Sequence, residues 1–323
     1  MKKPGCILAA LFVLAAAVAG WFAWGWYGAS EIEEDSAFIV PQGASLTSVA
    51  AALMEDGHIP SDSAFLWRSA ILGGDDSIQA GEFMLPAGTS PAGILDILQN
   101  GLAIRRFVTI PEGLPSVMVH DRLMAEGLLT GDVRVPEEGS VLPESYDFER
   151  GETRAAVLAR MQAAMDRVLD EAWKARSADT VASTPQEAII LASMIEKETS
   201  QPDERRMIAG VITNRVRTGM QLGIDATTIY PITKGRPLGR QIRVSELRDP
   251  NPYNTRAISG LPAGPITNPG RASIEAALNP AETDALYYVA DGTGGHVFSN
   301  TLAEHNANAA KWRQLRRERG EIE

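Results

Sequence analysis

The 323-residue chain has one cysteine, four histidines and fewer basic than acidic residues, and each scarcity closes off a class of chemistry. Cys6 sits in the apolar N-terminal segment and no other cysteine follows. That excludes an internal disulfide, a thiol nucleophile in the body of the protein and a thiolate metal site. It is compatible with either redox compartment. His58, His120, His296 and His305 are lone residues without metal-ligand spacing such as H-E-x-x-H. His296 and His305 could approach each other across a hairpin, but hydrogen-bonded structural roles are the favoured reading. Lys and Arg number 30 against 41 Asp and Glu, a formal charge of -11. Phosphate binding needs a basic face, so nucleic acid is excluded as a partner. The stretch Asp291-Gly292-Thr293-Gly294-Gly295 lacks the lysine and following helix of a phosphate loop and reads as a hairpin turn. No cofactor is called for.

What is present is a 45% hydrophobic, 22% charged chain, long enough for two modest domains with a real core. From Pro4 to Ser30 there is no charge. A bilayer span needs about 20 apolar residues. Lys2 and Lys3 precede this run, Trp21, Trp24, Trp26 and Tyr27 close it, and Glu31, Glu33, Glu34 and Asp35 follow. An aromatic belt and the positive-inside rule then predict a single-pass anchor with a cytoplasmic N-terminus and an exported remainder. Ala17-Val18-Ala19 resembles a signal-peptide cleavage site, but the apolar run continues well past it.

The expected class is α+β, in five parts: residues 1–30 as N-terminus and anchor, 31–37 as linker, 38–102 as a small α+β module, 103–150 as a connecting α+β segment, and 151–323 as the main domain. The module reads strand, turn, helix from Phe38, with Ser45 as N-cap and Leu46, Val49, Ala50 and Leu53 at helical spacing. A helix opened by Ser61 or Asp62, a strand, and a helix stopped at Gly101 complete it. "RRFVTIPEG" echoes "FIVPQG", a possible repeat of strand and turn. A long helix is predicted from Thr153 to about Ser177, with Val157, Met161, Met165, Val168 and Leu169 on one face. Another starts at Thr184-Pro185. Residues beyond Gly219 are dense in Gly, Pro, Asn and Thr and read as an ordered, binding-type loop region. "LYYVADGTGGHVFSN" reads as a hairpin and the C-terminus as a charged helix.

The helix after Pro185 contains "MIEKETS". At about 100° per residue, Glu198 falls on the stripe of Ala188, Leu191, Met194 and Ile195, whereas Glu196 falls beside Ala192 and Ile189. Desolvation disfavours a charged carboxyl, so a glutamate on an apolar stripe can stay protonated and serve as a general acid. The blander reading pairs Glu198 with Arg205, Arg206 or Arg215 in a structural ion pair, or places it where the helix emerges from the core.

"LASMIEKET", "ERRMIAGVITNRVRTGMQL", "DATTIY", "PYNTRAISGLPAGPITNPGRASIEAALNP" and "LYYVADGTGGHVFSNTLAEHN", together with "VTIPEG" and "VLPESY", closely resemble the YceG-like family, in that order and over nearly the whole chain. The resemblance implies a LysM-like N-terminal module and an inner-membrane enzyme. That enzyme would cut peptidoglycan glycan strands internally, between MurNAc and GlcNAc, leaving 1,6-anhydro-MurNAc ends and so terminating strand elongation. It also suggests cooperation with peptidoglycan synthases. It implies one catalytic glutamate in "EKET". Glu198 is favoured by its face and because Glu198-Thr199 looks like the Glu-Ser pair of lysozyme-like lytic transglycosylases; Glu196 is the alternative. By the same match, Asn214, Gln221, Asp225, Thr227, Tyr230, Tyr253 and Asn254 are expected to bind substrate, although Asn and Thr also cap turns and Tyr also fills cores. Gly223-Ile224 before Asp225 departs from the family pattern, and so does Ala263 in "GLPAGPI"; neither touches the proposed acid. Two other classes stay open: a non-catalytic glycan-binding scaffold, and a hydrolase using Asp225 as second carboxylate.

Overall fold

The computed structural model describes residues 4–30, 32–74 and 76–322. Lys2, Lys3 and Glu31, which enter the orientation argument, lie outside them. The fold is mixed α+β, and the chain divides into two units. One runs through Arg106 and adds Asp147–Gly151; the other takes Phe107–Tyr146 and the chain from Glu152 onward.

The first unit starts with α1 (Pro4–Tyr27), the one described helix long and apolar enough to cross a membrane. Leu11, Phe12, Val13, Leu14 and Val18 all point outward, which is not how a core helix disposes its leucines. Next come β1 (Ser36–Val40), α2 (Leu46–Glu55), α3 (Asp62–Leu72), β2 (Gly81–Leu85) and α4 (Pro91–Asn100). β1 and β2 pair antiparallel with Phe38 opposite Phe83, and both rings are buried. Ser45, Ser61 and Ser90 cap the three helices by accepting N–H bonds from Ser48, Ala64 and Gly93. Gly101 does end α4, but not through the left-handed geometry usual at such glycines. Its φ is -71°, and a Cβ there would meet the Ile97 carbonyl oxygen at 2.4 Å, so close approach is what demands glycine. Trp26 and Ile32 belong to the same apolar core as Val49, Leu53, Phe65 and Ile94. Buried Glu82 is held by Arg106 and Arg150 at 2.6 and 2.9 Å. The Arg106 hydrogen bond leads in keeping its carboxyl below the usual range.

β3 (Arg105–Thr109) and β4 (Ser145–Glu149) form a two-stranded sheet in which the chain passes between units. The second unit then holds α5 (Ser116–Ala125), α6 (Arg154–Lys174), α7 (Pro185–Glu198), α8 (Arg205–Arg217), α9 (Asp225–Thr233), α10 (Val244–Leu247), α11 (Arg271–Leu278), β5 (Tyr287–Ala290), β6 (His296–Ser299) and α12 (Leu302–Glu318). The echo between the turns is real in the backbone. Gly43 and Gly113 both take positive φ, 76° and 72°, and Ala44 and Leu114 donate to Pro41 and Pro111. In α6, Val157, Met161, Met165 and Val168 are buried as the spacing predicts. Thr184 caps α7 and Pro185 opens it. The region past Gly219 contains a helix, α9, that its composition hides. Pro231 lies within it, lacking the N–H a helix uses there, and Lys234 ends it in left-handed geometry.

Candidate active site

α7 is the central helix of the second unit, in contact with α6, α8, α9 and α11. Ala188, Ile189 and Leu191 to Ile195 are all buried, so its middle turns have no free face. That corrects the expectation of a single apolar stripe. Glu196 is inside too: its side chain is 6% exposed, Oε2 accepts the Gly270 N–H at 2.9 Å, and Oε1 lies 3.9 Å from Arg205. Gly270 is the N-cap residue of α11, so Glu196 places a carboxylate where that helix presents unpaired N–H groups. Arg205 also reaches Glu112 at 3.2 Å. Burial, then the Glu196 charge, raise the pKa of Glu112.

Glu198 differs in kind. It closes α7 and is half-buried, neither sealed in the core nor free in solvent. The Tyr288 hydroxyl donates to its Oε2 at 2.6 Å. None of the three arginines that could have neutralised it does so. Arg205 serves Glu112 and Glu196, Arg206 donates to the Asn279 carbonyl, and Arg215 donates to the carbonyls of Leu286 and Leu222. Burial therefore pushes the Glu198 pKa up, and the nearby Asp225 charge adds to this. The Tyr288 bond and the more distant His296 and Arg256 oppose it. Glu138 is likewise raised by burial, but Oε1 accepts from the Ser116 N–H at 2.8 Å and from Asn268 at 3.3 Å.

Tyr288 is aimed by the hairpin. β5 and β6 pair with Tyr288 opposite Phe298 and Ala290 opposite His296, so the period of two puts Tyr288, Phe298 and His296 on one face. The Tyr288 ring lies edge-on to His296 and tilted against Phe298, at 5.4 and 6.2 Å. The Arg215 guanidinium lies 6.0 Å from its centre on another side. Glu204 locks the hairpin in place: it takes the His296 N–H at 2.6 Å, pairs with His296 Nδ1 at 2.8 Å, and accepts the Thr199 hydroxyl at 3.0 Å. Thr199 follows Glu198, so one carboxylate ties the end of α7 to β6, the strand paired with the one that carries Tyr288. His305 stacks on Tyr287 across the opposite face and does not meet His296.

The seven residues expected to bind substrate separate clearly. Asp225, in the first turn of α9, is exposed, pairs with Arg256 at 2.5 Å and acts electrostatically on Glu198. Gln221 is exposed and Tyr253 partly so. The others spend their polar atoms on the scaffold. Asn214 donates to the carbonyls of Thr283 and Ala285. Thr227 bonds Ile224 and Thr255. Asn254, fully buried, donates to the carbonyls of Glu246, Leu247 and Asp249 and accepts from Thr228 and the Arg256 N–H. Tyr230 is buried against Tyr253, rings 4.9 Å apart. Sequence reasoning missed Tyr288, Glu204 and Arg256. Tyr288 had a signal in the alternation of the predicted hairpin; Glu204 and Arg256 are brought in by tertiary packing alone. No group of acidic, His and Cys side chains suited to a metal occurs among the described residues.

A crystal structure of a YceG-like protein from Listeria monocytogenes has a similar fold. The TM-score is 0.52 at 26% identity, over 85% of this chain and 98% of that one. The model of the YceG-like family matches residues 38–311, and the chain belongs to that family. It is 28% identical over 331 residues to the endolytic murein transglycosylase of Bacillus subtilis strain 168, covering 91% of each. It is 31% identical over 215 residues to the enzyme of that name from Streptococcus pneumoniae serotype 2, covering 65% of this chain and 36% of the pneumococcal protein.

Proposed function

We propose that this protein is an endolytic lytic transglycosylase of peptidoglycan, anchored by α1 in the inner membrane with the rest of the chain periplasmic. Its residues 38–102 act as a LysM-like module, 103–150 connect, and 151–323 form the catalytic domain. The reading rests on the names of the relatives and on one observation: the half-buried Glu198 carboxyl, free of any arginine partner among the described residues, with a single phenol on one oxygen.

One carboxyl suffices for this reaction. Protonated Glu198 gives its proton to O4, the oxygen between MurNAc C1 and GlcNAc C4. The C1–O4 bond breaks, and GlcNAc leaves with a 4-hydroxyl. The positive charge at C1 is met by the MurNAc C6 hydroxyl. Glu198, now a carboxylate, takes the hydroxyl proton as O6 bonds C1, and so is protonated again. No water is consumed, and the new end is a 1,6-anhydro sugar. Burial readies the acid for the first step, and the Tyr288 bond stabilises the carboxylate for the second. Asp225 offers negative charge toward the oxocarbenium-like centre, while Gln221 and Tyr253 contact the sugars. Asn214, Thr227, Tyr230 and Asn254 hold the loops that present them. A hydrolase would need Asp225 to activate water, and Arg256 already occupies that carboxylate. Cleavage inside strands would end their elongation and calls for a peptidoglycan synthase close by.

Mass spectrometry of peptidoglycan treated with the purified protein tests this. Anhydro-muropeptide ends within long strands are expected. Reducing ends would make it a hydrolase, and untouched glycan a scaffold.

A further inference from the structure

We propose that α3 is a membrane-surface element whose outward face, Trp67, Ala70, Ile71 and Leu72, inserts at the headgroup boundary of the bilayer that α1 crosses. The inference rests on the reading of α1 as an anchor. It begins from how α1 ends. The helix does not run out into a free linker; Trp26 is 1% exposed in the core of the first unit, and its ring lies 5.6 Å from Phe65 of α3. One turn further along α3, Arg68 lies over both Trp21 and Phe22 at 5.5 Å. Its guanidinium fills the space at Gly25, where a Cβ would stand 2.2 Å from Nη2.

These contacts give α3 a direction. Passing from Phe65 to Arg68 moves the contact from Trp26 to Gly25, Phe22 and Trp21, toward the start of α1. α3 therefore descends along α1 toward the apolar run. Ile71 and Leu72 follow one turn beyond Arg68, which on this reading carries them on toward the level of Trp21. Trp21, Trp24 and Tyr27 mark that level as the interface, since all three are exposed and amphipathic rings collect there.

The face that α3 turns outward suits that position. Trp67 is 72% and Ile71 59% exposed, and with Ser63 and Ala70 they form a stripe without charge. A large apolar stripe facing water would be a liability, whereas at the headgroup boundary it is buried as in other interfacial helices. Arg68 has no acidic partner among the described residues; its guanidinium lies over the Trp21 and Phe22 rings, and its Nε is buried without a hydrogen bond. After α3, the Gln99 side chain donates to the Asp76 carbonyl and ties the chain back onto α4. Two membrane contacts, α1 and the α3 face, then fix the tilt of the first unit, which a single helix would leave free.

The test is spin-label depth on the full chain in vesicles of phosphatidylethanolamine and phosphatidylglycerol. Cys6→Ser would supply the background, with single cysteines at Ile71, at Trp67, at Val13 within α1, and at exposed Glu55 of α2. Collisions with oxygen and with a water-soluble nickel chelate are compared. The expected order of depth is Val13 deepest, Ile71 and Trp67 at the boundary, and Glu55 in water. Labels at both Ile71 and Trp67 that meet the chelate as freely as Glu55, while Val13 is shielded, would overturn the α3 proposal and leave the anchor standing. A Val13 label open to the chelate would overturn the anchor and the proposal with it.

Discussion

The Tyr288 hydroxyl and the Glu198 carboxylate, ninety residues apart in the chain, meet at 2.6 Å. The bond places a donor on one oxygen of a half-buried acid. It therefore favours the charged form against the burial that disfavours it.

Tyr288→Phe removes that donor and little else. A hydrogen bond to a charged group is worth about 1.5–3 kcal/mol, so turnover should fall by roughly ten- to hundredfold. The sign for pH follows from the same bond. It lowers the Glu198 pKa, so its loss raises it, and the limb of the pH–rate profile that reports deprotonation of the acid should move to higher pH. A fall in rate with an unmoved limb would mean that Tyr288 only supports the hairpin.

Asp225→Ala should move the same limb the other way. The Asp225 charge raises the Glu198 pKa, so removing it favours the carboxylate and shifts the limb to lower pH. Turnover should drop by about tenfold or more, as the developing positive charge loses a counter-charge. Opposite shifts in Tyr288→Phe and Asp225→Ala, measured on one substrate, would show that both residues act on one titrating acid.

Much of this was legible in the sequence, for identifiable reasons. The caps at Ser45, Ser61 and Thr184, the apolar period of α6 and the hairpin around Gly292 are local signals, and local signals survive folding. α9 was not legible, because Pro231 reads as a breaker. The contrast between Glu196 and Glu198 was legible only in part. Periodicity separates their directions, but not that α11 and Arg205 wait on the second side of α7 to satisfy Glu196. Similarly, Asn214 and Asn254 carry the right chemistry for sugar binding, and only the fold reveals that backbone carbonyls have claimed it.

That contrast makes the two glutamates separable by experiment. Glu198→Gln should cost at least the upper part of the roughly 10²–10⁴-fold typical of general acid–base catalysis, because one group serves both steps. Its fold and glycan binding should survive. Glu196→Gln should keep most activity per folded molecule but lose stability by about 1–3 kcal/mol, since it weakens a buried link between Gly270 and Arg205. Counting anhydro ends beside a melting curve for each variant decides the matter. A dead, well-folded Glu196→Gln with an active Glu198→Gln would reverse the assignment.

Stability against pH offers a test that needs no substrate. The folded-state pKa of Glu198 is raised above its unfolded value, so the folded protein binds the proton more tightly. The contribution is therefore fully present below the unfolded pKa, near 4.5, and is lost as pH rises through the folded pKa. Above that point the wild-type protein carries a partly desolvated charge. Glu198→Gln carries none. The variant should melt at a higher temperature than wild type near and above neutral pH, and the difference should shrink as pH falls toward the unfolded pKa. Thermal melts of both proteins across that range check it. A variant that melts lower at every pH would show that the Glu198 carboxylate is a structural partner of Tyr288 rather than an acid held against its own solvation.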